Sequence, residues 1–211
     1  MKLLIASKNL KKLKELEEIF AGALDPKIKN EIELVSLADF PAVQEIDEDG
    51  KTFEENAIKK ALGYAIATNL LTLADDSGLS VDALNGAPGV FSARFAGEGK
   101  DDLENCKKVL HSMKKVPESK RWAKFECVIA IAEPGRLIGT AKGEIKGMIL
   151  AEMRGSGGFG YDPLFYYPPF QKTLAEIGQN LKNSVSHRSS ALKKSQVIIS
   201  QYITRKFKST R

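Results

Sequence analysis

Acidic residues are missing from one end of this chain: residues 177–211 hold eight Lys or Arg and no Asp or Glu, so the rest is slightly acidic within a net charge of +5. A basic tail invites a nucleic-acid reading. Its only aromatics are Tyr202 and Phe207, both on an apolar stripe, and no nucleic-acid motif accompanies them. A solvated helix face is therefore expected, with no nucleic-acid partner. Cysteine is scarce: Cys106 and Cys127 are too few for a disulfide framework or a zinc site, and free thiols are expected. No apolar run approaches the ~20 residues of a membrane span. Met1 leads straight into a strand and Lys8 interrupts the apolar run, so no secretory h-region is present and a cytoplasmic location is expected. Neither the Gly-Lys-Ser/Thr of a P-loop nor the spacing of a dinucleotide fingerprint occurs. With no internal repeat or linker, 211 residues at 43% apolar content read as a single domain, 1–211, of one or at most two compact lobes.

Four polar clusters stand out against this background. Leu73-Ala74-Asp75-Asp76-Ser77-Gly78-Leu79 puts two carboxylates and a hydroxyl at the end of an apolar strand. Gly78 is expected to turn the chain into a second extended stretch, 79–83, which places the acids at an edge. Turns alone explain most Asp-Asp-Ser-Gly stretches, but side chains alternate along a strand, so one acid can face a cleft while the other supports it. Lys2 to Phe20 reads as a strand, a polar turn and a helix with Leu13, Leu16, Ile19 and Phe20 on one stripe. Lys8, Lys11 and Lys12 crowd that helix start, where each cation is disfavoured by roughly 0.3–1 kcal/mol. An anion would remove the conflict, and backbone N–H groups with Ser7 and Asn9 complete a phosphate site. In Arg154 to Phe165, glycines allow close backbone approach and Phe159 and Tyr161 offer flat faces suited to a base. His187 and Arg188 follow Ser186 at a helix start, where cations suit an anion or a carbonyl oxygen.

The pattern of elements predicts strands 2–6, 32–37 and 70–75 alternating with helices 11–23 and 53–67. A helix at 101–115, an antiparallel pair 122–133 and 136–149, a strand near 164–167 and a terminal helix 188–206 complete it. The class is α/β with a mixed sheet. Thr52 and Glu55 are expected to form a capping box, leaving Glu45, Asp47, Glu48 and Asp49 for another task.

The ordered motifs resemble those of the HAM1/inosine triphosphate pyrophosphatase family. They are Ser7 to Lys12, Thr52 to Ala57, Ala74 to Leu79, Gly86 to Arg94, Gly157 to Phe165, Lys172 to Glu176 and Ser186 to Arg188. The resemblance implies an elongated mixed central sheet flanked by helices, two lobes around a nucleotide-binding cleft, a homodimer, and hydrolysis of ITP, dITP and XTP to a monophosphate and pyrophosphate. It implies Mg²⁺ held by Asp76, which also serves as or positions the general base, with Asp75 in support and a second carboxylate from Glu45 or Glu48. Ser7, Asn9 and Lys12 would hold the phosphates, with Lys8, Leu10 and Lys11 in the same loop and Ser77 touching substrate. Lys8 departs from the small residue common there. Phe159 would stack on the base beside Gly160 and Tyr161, Asp162 would accept from its edge, and Lys182, His187 and Arg188 would contact substrate and read the base. Hypoxanthine and xanthine carry an acceptor at position 6 where adenine carries a donor, so a donor there prefers the keto base. Three competing readings are a Maf-like pyrophosphatase, a nucleic-acid-binding module and a structural protein. The first would not carry Gly-Gly-Phe-Gly-Tyr-Asp together with Ser-His-Arg.

Overall fold

The computed structural model describes residues 1–23, 31–99 and 101–208. The side chains of Leu10, Lys11 and Phe207 lie outside the described ones. The elements run β1 Lys2–Ile5, α1 Leu10–Ala23, β2 Glu33–Ser36, α2 Phe53–Thr68, β3 Leu71–Val81, α3 Asp102–Ser112, β4 Trp122–Glu133, β5 Arg136–Ile149, β6 Phe165–Tyr167, β7 Lys172–Thr173, α4 Gln179–Val185 and α5 His187–Lys208. Seven strands hydrogen-bond in the order β2-β1-β3-β4-β5-β6-β7. β1 pairs parallel with β2 and β3, whereas β6 is antiparallel to β5 and β7. The sheet is thus mixed, as expected of the class.

The chain divides into two compact units. One contains Met1–Asp76, Cys127–Gly143 and Arg188–Arg211; the other contains Ser77–Glu126 and Glu144–His187. In the first unit Leu3, Ile5, Leu73 and Ile129 meet Leu16 and Phe20 of α1 and Leu192 and Ile199 of α5. Leu4, Ala74 and Val128 instead meet Ala57, Ala61, Tyr64 and Ala65 of α2. Alternate residues of β1 and β3 therefore bury into two clusters, as the period of two dictates. Each fully buried Leu, Ile or Phe contributes roughly 1.5–3 kcal/mol. In the second unit Leu79, Val81, Phe125, Ile145 and Phe165 pack with Cys106, Val109 and Met113 of α3. Arg121 closes the end of that core, giving hydrogen bonds to the carbonyls of Met113, Val116, Ile149 and Leu150 at 2.7–3.2 Å. Among the described residues no helix is long and apolar enough to cross a membrane.

Two expectations are corrected. β3 does not turn at Gly78 but runs straight through Asp75-Asp76-Ser77-Gly78 to Val81, so the acids sit in mid-strand rather than at an edge. A Cβ at Gly78 would overlap Ser92 Oγ and lie 2.8 Å from the Gly89 carbonyl. The glycine therefore serves close approach of another segment, and Ser92 Oγ accepts from Leu79 N–H at 2.9 Å there. The cap of α2 forms only in part: Thr52 Oγ1 accepts from Glu55 N–H, but the Glu55 carboxylate reaches Lys51 N–H instead of Thr52. The short strand β7 and helix α4 were not expected from sequence; each is too short to show a period.

Candidate active site

The sequence-predicted residues fall into two groups, one in each unit. In the first, β1 delivers Ser7 and Asn9 to the start of α1, where Asn9 Oδ1 accepts from Lys12 N–H at 3.1 Å and caps the helix. The lysines at this start find carboxylates: Lys12 Nζ lies 3.6 Å from Asp75 and Lys8 Nζ 3.7 Å from Glu45. Their unfavourable position against the helix dipole is thus offset within the protein.

Asp75 and Asp76 are 2% and 6% exposed and make different contacts, as neighbours on a strand must. Asp75 Oδ2 meets Lys12 and stands 3.7 Å from Arg188 Nε. Arg188 Nη1 is bonded at 2.9 Å to Glu15 of α1, itself buried. Asp76 Oδ2 accepts from Asn56 Nδ2 at 3.0 Å, and its Oδ1 lies 3.8 Å from Lys60 Nζ. Lys60 in turn donates to Glu48 Oε1 at 2.5 Å. Both Asn56 and Lys60 are buried and stand one helical turn apart on α2.

Electrostatics follow from this packing. Burial pushes the Asp76 carboxyl above the usual carboxylate range; Lys60 and Lys12 pull against it, and Glu48 adds to the rise. Burial would lower Lys60, but Asp75, Asp76 and Glu48 together hold its ammonium above the ordinary value. The Lys60 ammonium therefore stands where two carboxylates, Asp76 and Glu48, share one cation. Of the acidic stretch only Glu48 meets a partner of Asp76; Glu45 goes to Lys8 and Asp49 to Lys59. Among the described residues no three His, Cys, Asp or Glu side chains gather as a metal group. Two carboxylates suit Mg²⁺, which keeps waters and takes one or two carboxylates with substrate phosphates rather than a full protein cage.

In the second unit, Gly157–Asp162 forms a tightly held loop. Asp162 Oδ2 accepts from Phe159 N–H at 2.9 Å and from Lys182 Nζ at 2.6 Å, and the same ammonium lies 4.6 Å from the centre of the Phe159 ring. At Gly158, with φ +72°, a Cβ would overlap that carboxylate oxygen. Gly160 is gripped on both sides, its N–H by Asp102 at 2.9 Å and its carbonyl by the Cys106 thiol at 3.4 Å. Burial pushes the Cys106 thiol up to about 12. Tyr161 is buried and donates to the Ser92 carbonyl at 2.7 Å, so it anchors the loop, while Phe159 and Gly160 remain half-buried. His187 stacks on Phe125 with centroids 4.9 Å apart and planes at 12°.

The sequence reading gave no site role to Asn56, which lay in the Thr52–Ala57 motif, nor to Lys60, Glu15 or Asp102. A signal existed for the first two: a polar pair at i, i+4 inside the buried stripe Ala57, Ala61, Tyr64 and Ala65. Apolar spacing was sought there, and polar exceptions were not.

Known proteins resemble this chain along most of its length. The model of the Ham1 family matches residues 3–197. The chain is 53% identical over 201 residues to a dITP/XTP pyrophosphatase of Desulforamulus reducens, covering 95% of this chain and 96% of that one. It is 46% identical over 208 residues to a dITP/XTP pyrophosphatase of Listeria monocytogenes, covering 97% and 99%. A HAM1 protein structure from Coxiella burnetii matches with a TM-score of 0.84 at 41% identity, over 95% of this chain and 99% of that one. The Ham1 protein of Staphylococcus aureus matches with a TM-score of 0.83 at 36% identity, over 96% and 100%. A family model spanning most of the sequence, close relatives along their full length and a shared fold agree on one conclusion: this chain belongs to the Ham1 family.

Proposed function

We propose that this chain is a dITP/XTP pyrophosphatase, cleaving deaminated purine nucleoside triphosphates to the monophosphate and pyrophosphate and so keeping these bases out of DNA and RNA. The observation that carries the reading is the pairing of the buried Asp76 with Glu48 across one cation.

Asp76 and Glu48 would hold Mg²⁺, and the ion supplies charge neutralisation on the phosphoryl oxygens when bound. Glu45, paired with Lys8, is the weaker candidate, and Asp75 serves by holding Lys12 and Arg188. Lys12 with Ser7, Asn9 and the N–H groups starting α1 binds the phosphate tail; Lys8, Leu10 and Lys11 belong to the same loop, and Ser77 contacts substrate. Asp76 Oδ1 takes a proton from the attacking water, which adds to phosphorus as pyrophosphate leaves. Phe159 stacks on the base, while Gly160, Tyr161, Asp162 and Lys182 keep the stacking surface in place. His187 and Arg188 supply donors to the keto oxygen at position 6, which adenine lacks. Assembly as a homodimer, a single functional domain and a cytoplasmic location belong to the same proposal. Product analysis on XTP tests it: xanthosine monophosphate with pyrophosphate is expected, and the diphosphate with orthophosphate would contradict it.

A further inference from the structure

Asn56 of α2 is 1% exposed and uses both ends of its amide. Its Nδ2 donates to Asp76 Oδ2 at 3.0 Å, and its Oδ1 accepts from Gly50 N–H at 2.7 Å. Gly50 ends the acidic stretch that carries Glu48. One side chain thus joins the proposed base to the segment bearing the proposed second carboxylate. We propose that Asn56 is a positioning residue: it holds Oδ2 of Asp76, leaves Oδ1 on the side of Lys60, and fixes the segment ending at Gly50 to the same carboxylate.

The chemistry of the side chain supports this. A primary amide offers a donor to a carboxylate and an acceptor to a backbone N–H from one short planar group. Ser is too short to span both, Asp has no proton to donate, and Gln carries an extra methylene. Asn is also a poor residue for a helix interior, so helix formation does not explain it. Gly50 is shaped to the contact as well: a Cβ there would lie 2.6 Å from Asn56 Oδ1 and 2.8 Å from Glu55 Cβ. Alignment of a base needs placement within about 0.5 Å, which a carboxylate swinging about its last torsion does not keep unaided.

The inference rests on the proposed pyrophosphatase activity, and the experiment separates the two. Wild-type, Asn56→Ala, Asn56→Asp and Gly50→Ala proteins are assayed for XTP and ATP turnover with Mg²⁺. Binding of an α,β-imido analogue of XTP, which lacks the bond to be cleaved, is read from its shift in melting temperature. Asn56→Asp keeps the acceptor for Gly50 and the size of the side chain but sets a carboxylate against Asp76 in place of the donor, so it reports on loss of that hydrogen bond even if Asn56→Ala folds poorly. The expected result is a kcat lower by about 100-fold, the scale of general-base catalysis, in both Asn56 variants. With Mg²⁺ saturating, KM, analogue binding and the XTP-over-ATP preference should stay near wild type, and Gly50→Ala should repeat the pattern more mildly. Near-wild-type kcat in Asn56→Asp, or losses in kcat, KM and analogue binding that run in parallel, would overturn the positioning role. A wild-type protein that turns over no triphosphate would overturn the functional reading and the inference with it.

Discussion

Replacing Asp76 by Asn should make the metal-free protein more stable while removing its activity. Asp76 is 6% exposed and its carboxyl is raised, chiefly by burial, so ionising it in the folded state opposes folding. Around it Lys12, Lys60 and Arg188 face four carboxylates, Glu15, Glu48, Asp75 and Asp76, and the substitution makes the two signs equal. The amide oxygen still accepts from Asn56, and Lys60 keeps its 2.5 Å bond to Glu48. Relief of this kind at functional sites is worth about 1 kcal/mol, or roughly 2–4 °C in melting temperature for a chain of this length. The direction with pH is fixed. Wild type loses stability as pH climbs from the ordinary carboxyl value through the raised folded one, and the variant does not. The gap should therefore be small near pH 4, about the unfolded pKa, and reach its plateau above the folded value. Thermal melts in EDTA at several pH values measure it. A variant that melts below wild type at neutral pH would show that the ion pairs of Asp76 outweigh its burial, and the reasoning would fail.

Other perturbations probe separate features. Arg121→Ala should cost about 2–4 kcal/mol by denaturant unfolding, because four carbonyls lose their donor; a loss below about 1 kcal/mol would show that water takes its place. Gly78→Ala should cost about 1–3 kcal/mol, since the added methyl overlaps Ser92 and crowds Gly89, and an unchanged melting curve would refute the close-approach account. Arg188→Ala should erode the preference for XTP over ATP more than it lowers XTP turnover, and it should also lower stability by leaving Glu15 buried without its partner. A retained kcat/KM ratio would remove Arg188 from base reading.

Local signals decided what could be read in the sequence. The pair 122–133 and 136–149 was predicted with the bounds observed, because the Pro134-Gly135 turn separates two extended runs whose far halves, 122–127 and 140–149, alternate buried and open side chains. The start of α2 was legible from Thr52, whose hydroxyl does cap it. Gly78 misled because its cause lies in Ser92 and Gly89, which no window around position 78 contains. No role was legible for Asn56, though it stood in the Thr52–Ala57 motif, or for Lys60, for a similar reason: they lie on a buried helical stripe whose neighbours are alanines, and their partners Asp76 and Glu48 come from other segments. The choice between Glu45 and Glu48 could not be made from spacing, whereas contact favours Glu48, since Lys8 takes Glu45 and Lys60 takes Glu48.

Pyrophosphate release from XTP, dITP, ITP, GTP and ATP with Mg²⁺, beside Asp76→Asn and an EDTA control, tests the central claim most directly. Strong turnover of the first three alone, lost in both controls, is the predicted result; equal turnover of all five, or full activity in the Asp76→Asn variant, would contradict it.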